Sequence, residues 1–282
     1  MSILVTGASG FVGRHLLAHL RSCSDLRCTG LTRNPSDDDG TIVCDLNNKD
    51  QIDKVIKELQ PSIIFHVAGS FSNNFETDFQ NNVVSSKNIF ESIRQSQPKA
   101  RIVLMGSAAE YGEIKSNENP VTEEQPLNPI SIYGWSKAAQ TQLANLYFKT
   151  YGLDIVIART FNLIGKGMSD KLFVGRIEKQ IDAVLAGKEK NITVGNLDAK
   201  RDYIDIDKAC ALYYKIAQKG KAGETYNVGS GTAISMRELL KKLLEQANLG
   251  YSIIIENEQT KKTPHSEVSI IYSNTTKTDN LR

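Results

Sequence analysis

A three-glycine turn, "TGASGFVG" at residues 6–13, constrains this chain most, because it separates the first strand-like run from the first helical one. Gly7, Gly10 and Gly13 follow the apolar run "SILVT" and lead into "FVGRHLLAHL". Residues without a Cβ let a turn reach unusual dihedrals, let a pyrophosphate approach the backbone, and let a helix sit close to its strand. A helix that begins there offers unpaired N–H groups and a positive dipole end to phosphates. A merely tight strand–helix turn has the same spacing. Its place at the first junction favours a dinucleotide site built on Gly7, Gly10, Phe11, Val12 and Gly13.

The alternation continues along the chain. Strands are expected at 2–7, 27–33, 41–46, 62–69, 101–107 and 153–160, and helices around 11–22, 49–59, 75–96 and 133–151. Near-continuous apolar strands separated by helices imply a parallel sheet covered on both faces. The fold class is therefore α/β, a Rossmann-like doubly wound parallel sheet with a smaller C-terminal substrate-binding lobe. After residue 160 the pattern loosens into a helix near 171–187, a short strand in "NITVGN", helices at 207–219 and 235–247, and an irregular tail. "ETYNVGSG" reads as a return to the main sheet. Residues 1–160, with a returning segment at 201–230, are assigned to the cofactor domain, and 161–200 with 231–282 to the lobe.

Composition excludes several function classes. With 34 basic and 32 acidic side chains in 282 residues, a net charge of +2 marks no nucleic-acid face and no membrane surface. No apolar run approaches the roughly 20 residues of a membrane span, and the N-terminus reads as a strand rather than a signal peptide. Cys23, Cys28, Cys44 and Cys210 form no CxxC pair and read as reduced thiols of a cytoplasmic protein. His15 and His19 share a helix face at i, i+4, but no acidic third ligand stands nearby, so a solvated face is expected and no metal.

Two further segments point to chemistry. Where NAD-binding chains place an acid on the ribose, about 20 residues past the glycines, this one reads "LTRN". A guanidinium at Arg33 pairs with a 2′-phosphate, so NADPH is the expected cofactor, with NAD possible. An ordinary surface arginine is the alternative. "Tyr133-Gly-Trp-Ser-Lys137" places a phenol and an amine at i, i+4, on one face of a helix. A nearby ammonium would lower the phenol's pKa and make it an acid–base group.

With "TGASGFVG", "DL" (45–46), "HVAG" (66–69), "NNV" (81–83), "GSAAEYG", "YGWSK", "RTFNLIGKG" and "KRDYIDIDK", the chain resembles the extended short-chain dehydrogenase/reductases, the nucleotide-sugar epimerase/dehydratase superfamily. "RTFNLIGKG", "VGNLDAKRDYIDIDK" and "SEV" look most like its GDP-4-keto-6-deoxy-D-mannose reductases. The resemblance implies reduction of a sugar 4-keto group by a cytoplasmic homodimer joined through the helices at 75–96 and 133–151, in deoxy-sugar biosynthesis for a surface polysaccharide. It gives Ser107, Tyr133 and Lys137 the catalytic roles and puts Asp45, Leu46, Ala68 and Gly69 beside the cofactor. It lines the nucleotide-sugar site with Ala108, Asn162, Lys179, Arg201 and Glu267. Local roles compete with these: Arg201 beside Asp202 and Asp205 suits an ion pair, Asn162 a turn, and Glu267 a solvated surface. "Thr263-Pro264-His265" departs from the Arg-Pro of the related reductases, and "TDNLR" stands where they carry a closing helix.

The segment after Ser107 bears on the reaction type. In the resembled superfamily the sugar dehydratases carry an acid two residues before the "YG" tyrosine, and reductases that also epimerise carry a cysteine there. This chain has Ala109, preceded by Ala108. Neither abstracts a proton, so a plain hydride transfer at one carbonyl is expected. A nucleotide-sugar 4-epimerase and a non-catalytic NADP-sensing protein on the same fold are the alternatives.

Overall fold

The computed structural model describes residues 1–23, 26–96, 99–257 and 268–281. Its centre is a seven-stranded, all-parallel sheet. The strands are β1 (Ser2–Thr6), β2 (Arg27–Thr32), β3 (Thr41–Val43), β4 (Ile63–His66), β5 (Arg101–Ser107), β6 (Ile155–Thr160) and β7 (Thr225–Val228), in spatial order β7-β6-β5-β4-β1-β2-β3. Val5 of β1 lies between Gly30 and Phe65, so the order reverses across β1 and a crevice opens beyond the carboxyl ends of β1 and β4.

Both faces of the sheet are covered, which explains why its strands are apolar throughout. β4 (IIFH) and β6 (IVIART) are buried at every residue. On one face α1 (Phe11–Ser22) lays down Leu16, Leu17 and Leu20, i and i+4 neighbours on one stripe, against Cys210, Tyr213 and Ile216 of a later helix, Ile206–Lys219. Each such side chain contributes about 1.5–3 kcal/mol on burial. The other face is closed by α2 (Lys49–Leu59), α3 (Ser85–Ser96) and α4 (Ile132–Tyr151), through Ile52, Ile56, Phe90, Ile93 and Tyr147.

The expected helix at 75–96 is interrupted. A short helix, Phe75–Asp78, passes through a π-helical turn, Phe79–Val84, before α3 begins. The wider turn frees carbonyls, and the hydroxyls of Ser85 and Ser86 donate to those of Asn81 (2.6 Å) and Asn82 (2.5 Å). The turn carries Asn81 and Asn82 to the crevice.

The remaining segments stand over the carboxyl ends of the strands. Helices Phe173–Leu185 and Met236–Gln246 bury Val174, Ile177, Leu240 and Leu244 in a core of their own. The tail is less irregular than its sequence suggests. Ile270–Ile271 pairs in parallel with Lys200–Arg201, and Ile254–Glu256 with Ile192–Val194. Its short strands are set by pairing with distant segments rather than by alternation, and a last helical turn, Thr276–Asp279, is held by the bond from Thr278 to the Asn227 carbonyl (2.6 Å). Among the described residues, no helix is long and apolar enough to cross a membrane, and no group of three His, Cys, Asp or Glu side chains gathers to hold a metal.

Candidate active site

The crevice is a cavity of about 890 Å³, lined by the glycine turn at one end and by Asn162, Arg201, Tyr203 and Met236 at the other. Gly7 has φ +65°, and a Cβ there would lie 2.8 Å from the Ala68 Cα; at Gly13 it would lie 2.1 Å from the Gly7 carbonyl oxygen. A side chain is excluded at both positions on steric grounds. Gly10 caps α1 without a side-chain bond, and no acid stands in the first turn, so the helix turns unclaimed N–H groups and a positive end to the cavity.

At the end of β2, Thr32 is 2% exposed and its hydroxyl finds no partner within the protein, although the residue lines the cavity. A buried hydroxyl left unpaired is costly, so it marks a place where a ligand's polar group belongs. Beside it the Arg33 guanidinium donates to Asn81 Oδ1 at 2.8 Å. Glycine cradle, helix terminus, orphan hydroxyl and held guanidinium together fit a phosphorylated dinucleotide.

The middle of the cavity holds the chemistry-bearing groups. Ser107 ends β5, and its N–H donates to Glu110 Oε1 at 2.7 Å. Its Oγ accepts the Ala109 N–H at 3.2 Å, which leaves the hydroxyl proton available to the cavity. Tyr133 opens α4; its N–H donates to Asn73 Oδ1 (3.2 Å), and its ring meets Phe71 edge-on at 4.8 Å. Burial pushes the Tyr133 phenol above its ordinary pKa, and a hydrogen bond from Ser107 offsets part of that. This reverses the lowering expected from an adjacent ammonium. The Lys137 amine instead donates to the Met105 carbonyl and to Gln140 Oε1, and burial lowers its pKa to about 8.

Ala108 and Ala109 line the cavity, whereas Glu110 turns away from it. It is fully buried, takes Arg159 Nη2 at 3.0 Å and Nε at 3.1 Å, and accepts from Thr141 Oγ1 at 2.8 Å. The described lining contains Arg33, Lys137 and Arg201 but no Asp or Glu. Such a wall suits a polyanionic ligand and offers no carboxylate base.

Most residues expected from the sequence meet here: Gly7, Gly10, Phe11, Val12, Gly13, Arg33, Leu46, Ala68, Gly69, Ser107, Ala108, Tyr133, Lys137, Asn162 and Arg201 all line the cavity. Asp45 and Lys179 do not. The Asp45 carboxylate accepts the Asn47 N–H (3.0 Å), because the strand ends early, at Val43, and the chain turns. Lys179, 71% exposed, pairs with Asp170 at 2.6 Å on the outer side of its helix. Glu267 and the segment 263–265 lie outside the described residues. The carboxylates beside Arg201 have other work: Asp202 accepts from Ser230, Gly231 and Ser273, and Asp205 caps the helix that follows. Sequence reasoning passed over Thr32, Asn81 and Gln140. For Gln140 the signal was available, since i+3 from Lys137 is the same helix face.

Residues 3–229 match the NAD dependent epimerase/dehydratase family. GDP-6-deoxy-D-mannose reductase of Pseudomonas aeruginosa is 28% identical over 273 residues, covering 94% of this chain and 86% of that protein. GDP-6-deoxy-D-talose 4-dehydrogenase of Aggregatibacter actinomycetemcomitans is 30% identical over 249 residues, covering 87% and 80%. Among solved structures, RMD from Pseudomonas aeruginosa complexed with NADPH superposes with a TM-score of 0.87 at 25% identity, over 99% of this chain and 91% of that one. With a matched span that runs from β1 through β7, and with the glycine cradle and the Ser107–Tyr133–Lys137 wall inside it, the chain belongs to the NAD dependent epimerase/dehydratase family.

Proposed function

We propose that the protein is a cytoplasmic, homodimeric reductase that uses NADPH to reduce the 4-keto group of a GDP-linked 4-keto-6-deoxy sugar, of mannose or heptose type. The carrying observation is the wall beside Ser107: a phenol, a hydroxyl and an amine face the cavity, while the segment's one carboxylate, Glu110, is held in a buried ion pair. Elimination at C5 and inversion at C3 or C5, beside the carbonyl, both need a base that this described wall does not carry. The two relatives support the same reading, since the names of both place them on GDP-linked 6-deoxy sugars.

The Thr32 hydroxyl, the Arg33 guanidinium and the α1 terminus hold the cofactor, which supplies a hydride when bound. The Ser107 hydroxyl donates to the carbonyl oxygen and stabilises the charge that gathers there. Tyr133 gives that oxygen its proton, and Lys137 supports the phenolate left behind. Arg201, at the far end, offers its charge to the nucleotide's phosphates. The family resemblance and the exposed apolar side chains Trp135, Leu146 and Tyr151 on α4 support the dimer; a monomer in light scattering at micromolar concentration would remove that part.

Purified protein mixed with a GDP-4-keto-6-deoxy sugar is expected to oxidise NADPH stoichiometrically; a 4-epimerase, which regenerates its cofactor, would consume none. Arg33→Ala should raise the NADPH KM strongly and the NADH KM little, because loss of one partner of a charge pair costs several kcal/mol. Equal use of NADPH and NADH by the unmutated protein would overturn the cofactor assignment.

A further inference from the structure

A line of hydrogen bonds runs beneath the cavity floor from the end of β1 to the Lys137 amine, and each hydrogen in it has one place to go. Thr6 Oγ1 accepts the N–H groups of Val67 (3.1 Å) and Ala68 (3.0 Å), so its own proton is left to donate to His66 Nδ1, 2.9 Å away. His66 then carries its proton on Nε2 and donates it to Ser86 Oγ at 2.8 Å. Ser86 Oγ also accepts the Gln140 amide N–H at 2.6 Å and gives its hydroxyl proton to the Asn82 carbonyl at 2.5 Å. With its nitrogen committed to Ser86, Gln140 must turn Oε1 to Lys137, whose other acceptor is the Met105 carbonyl.

Thr6, His66, Ser86, Gln140 and Lys137 are all buried, so water cannot replace a missing partner. The direction of the line is stable. Burial, with the Lys137 charge, pushes the His66 pKa down to about 3, and an imidazolium would need a second acceptor where Thr6 already holds two N–H groups. The charges facing Lys137 are those of Glu110, which favours the ammonium, and of His66, which is neutral.

We infer that Gln140, oriented through Ser86 and His66, is a positioning residue that, together with the Met105 carbonyl, fixes two of the three Lys137 ammonium hydrogens and so aims the third into the cavity. The inference deepens the proposed reductase reading, in which Lys137 supports the Tyr133 phenolate. It also explains why a helix whose face meets α3 carries a glutamine there: an apolar residue would leave both the amine and Ser86 short of a partner.

The test follows Lys137 directly, by NMR titration of the protein carrying ¹³C-labelled lysine, with the resonance assigned by its loss in Lys137→Met. Gln140→Met removes an acceptor from the charged form and is expected to shift the lysine's protonation equilibrium downward about tenfold. Gln140→Glu adds a carboxylate and should shift it upward. Ser86→Ala should act in the direction of Gln140→Met, and Ser86→Thr should restore the original value; this pair carries the test if Gln140→Met does not fold. The NADPH Kd should weaken together with the lysine shift. An unchanged Lys137 titration in folded Gln140→Met, or in Ser86→Ala, overturns the inference. Failure of the unmutated protein to oxidise NADPH with the keto sugar would instead remove the functional reading and leave the lysine result standing.

Discussion

Tyr133→Phe is expected to lower kcat by roughly 10²–10⁴-fold, the loss typical of a general acid, while substrate and NADPH still bind. The substitution keeps the ring that packs edge-on against Phe71, so the start of α4 is undisturbed and only the proton donor is lost. The residual rate would come from the Ser107 hydroxyl, which polarises the carbonyl without protonating it. Burial raises the Tyr133 pKa, and this bears on the pH dependence. An acid must be protonated to act, so the phenol keeps kcat through neutrality. The first fall on raising the pH is expected at about 8, where Lys137 loses the charge that supports the phenolate, ahead of the phenol's own ionisation. Full activity in Tyr133→Phe would make the phenol structural and return its role to another donor.

Arg159→Met is expected to cost about 3–5 kcal/mol of folding stability in urea titrations, because removal of one member of a buried pair leaves the other charge uncompensated. The guanidinium is 2% exposed, holds Glu110 through two N–H groups and lies 4.7 Å from the centre of the Tyr111 ring. Without it the Glu110 carboxylate keeps only the Ser107 N–H and the Thr141 hydroxyl. Arg159→Met combined with Glu110→Gln should recover most of the loss, since replacing both charges is often near neutral. A loss below about 1 kcal/mol in the single variant would mean that Glu110 is held by its neutral partners alone. Glu110 would then have less to hold it out of the cavity, and a carboxylate base could reach the sugar.

The fold was legible because its signals are local. The glycine turn, the apolar strands and the helical stripes between them are each readable within about ten residues, and parallel pairing with buried faces follows from their order. That Ser107, Tyr133 and Lys137 meet in one cavity could be read for the same reason: Ser107 ends a strand, Tyr133 opens a helix, and Lys137 follows it by one turn. What escaped depends on contacts between distant segments. The π-helical turn at Phe79–Val84 has no sequence period of its own, yet it brings Asn81 to Arg33 across 48 positions. The tail looked irregular because pairing partners such as Lys200–Arg201, not alternation, make its strands. Lys179 was carried over by resemblance of position, and helical phase sets it beside Asp170, outside the cavity lining. The upward shift of the Tyr133 pKa was hidden because i, i+4 spacing shows which side chains share a face, not how far burial desolvates the phenol.

The central claim is that hydride arrives at C4 and no base touches the neighbouring carbons, and isotope placement tests it most directly. In D₂O with unlabelled NADPH, the product is expected to carry no enzyme-dependent deuterium on ring carbons, with exchange of the keto sugar at C3 and C5 in the absence of protein subtracted as the control. In H₂O with nicotinamide-4-deuterated NADPH of the transferred face, it is expected to carry one deuterium, at C4. Enzyme-dependent deuterium at C3 or C5 in the first experiment would contradict the account, because it would require a base that the Ala108–Ala109 wall does not provide.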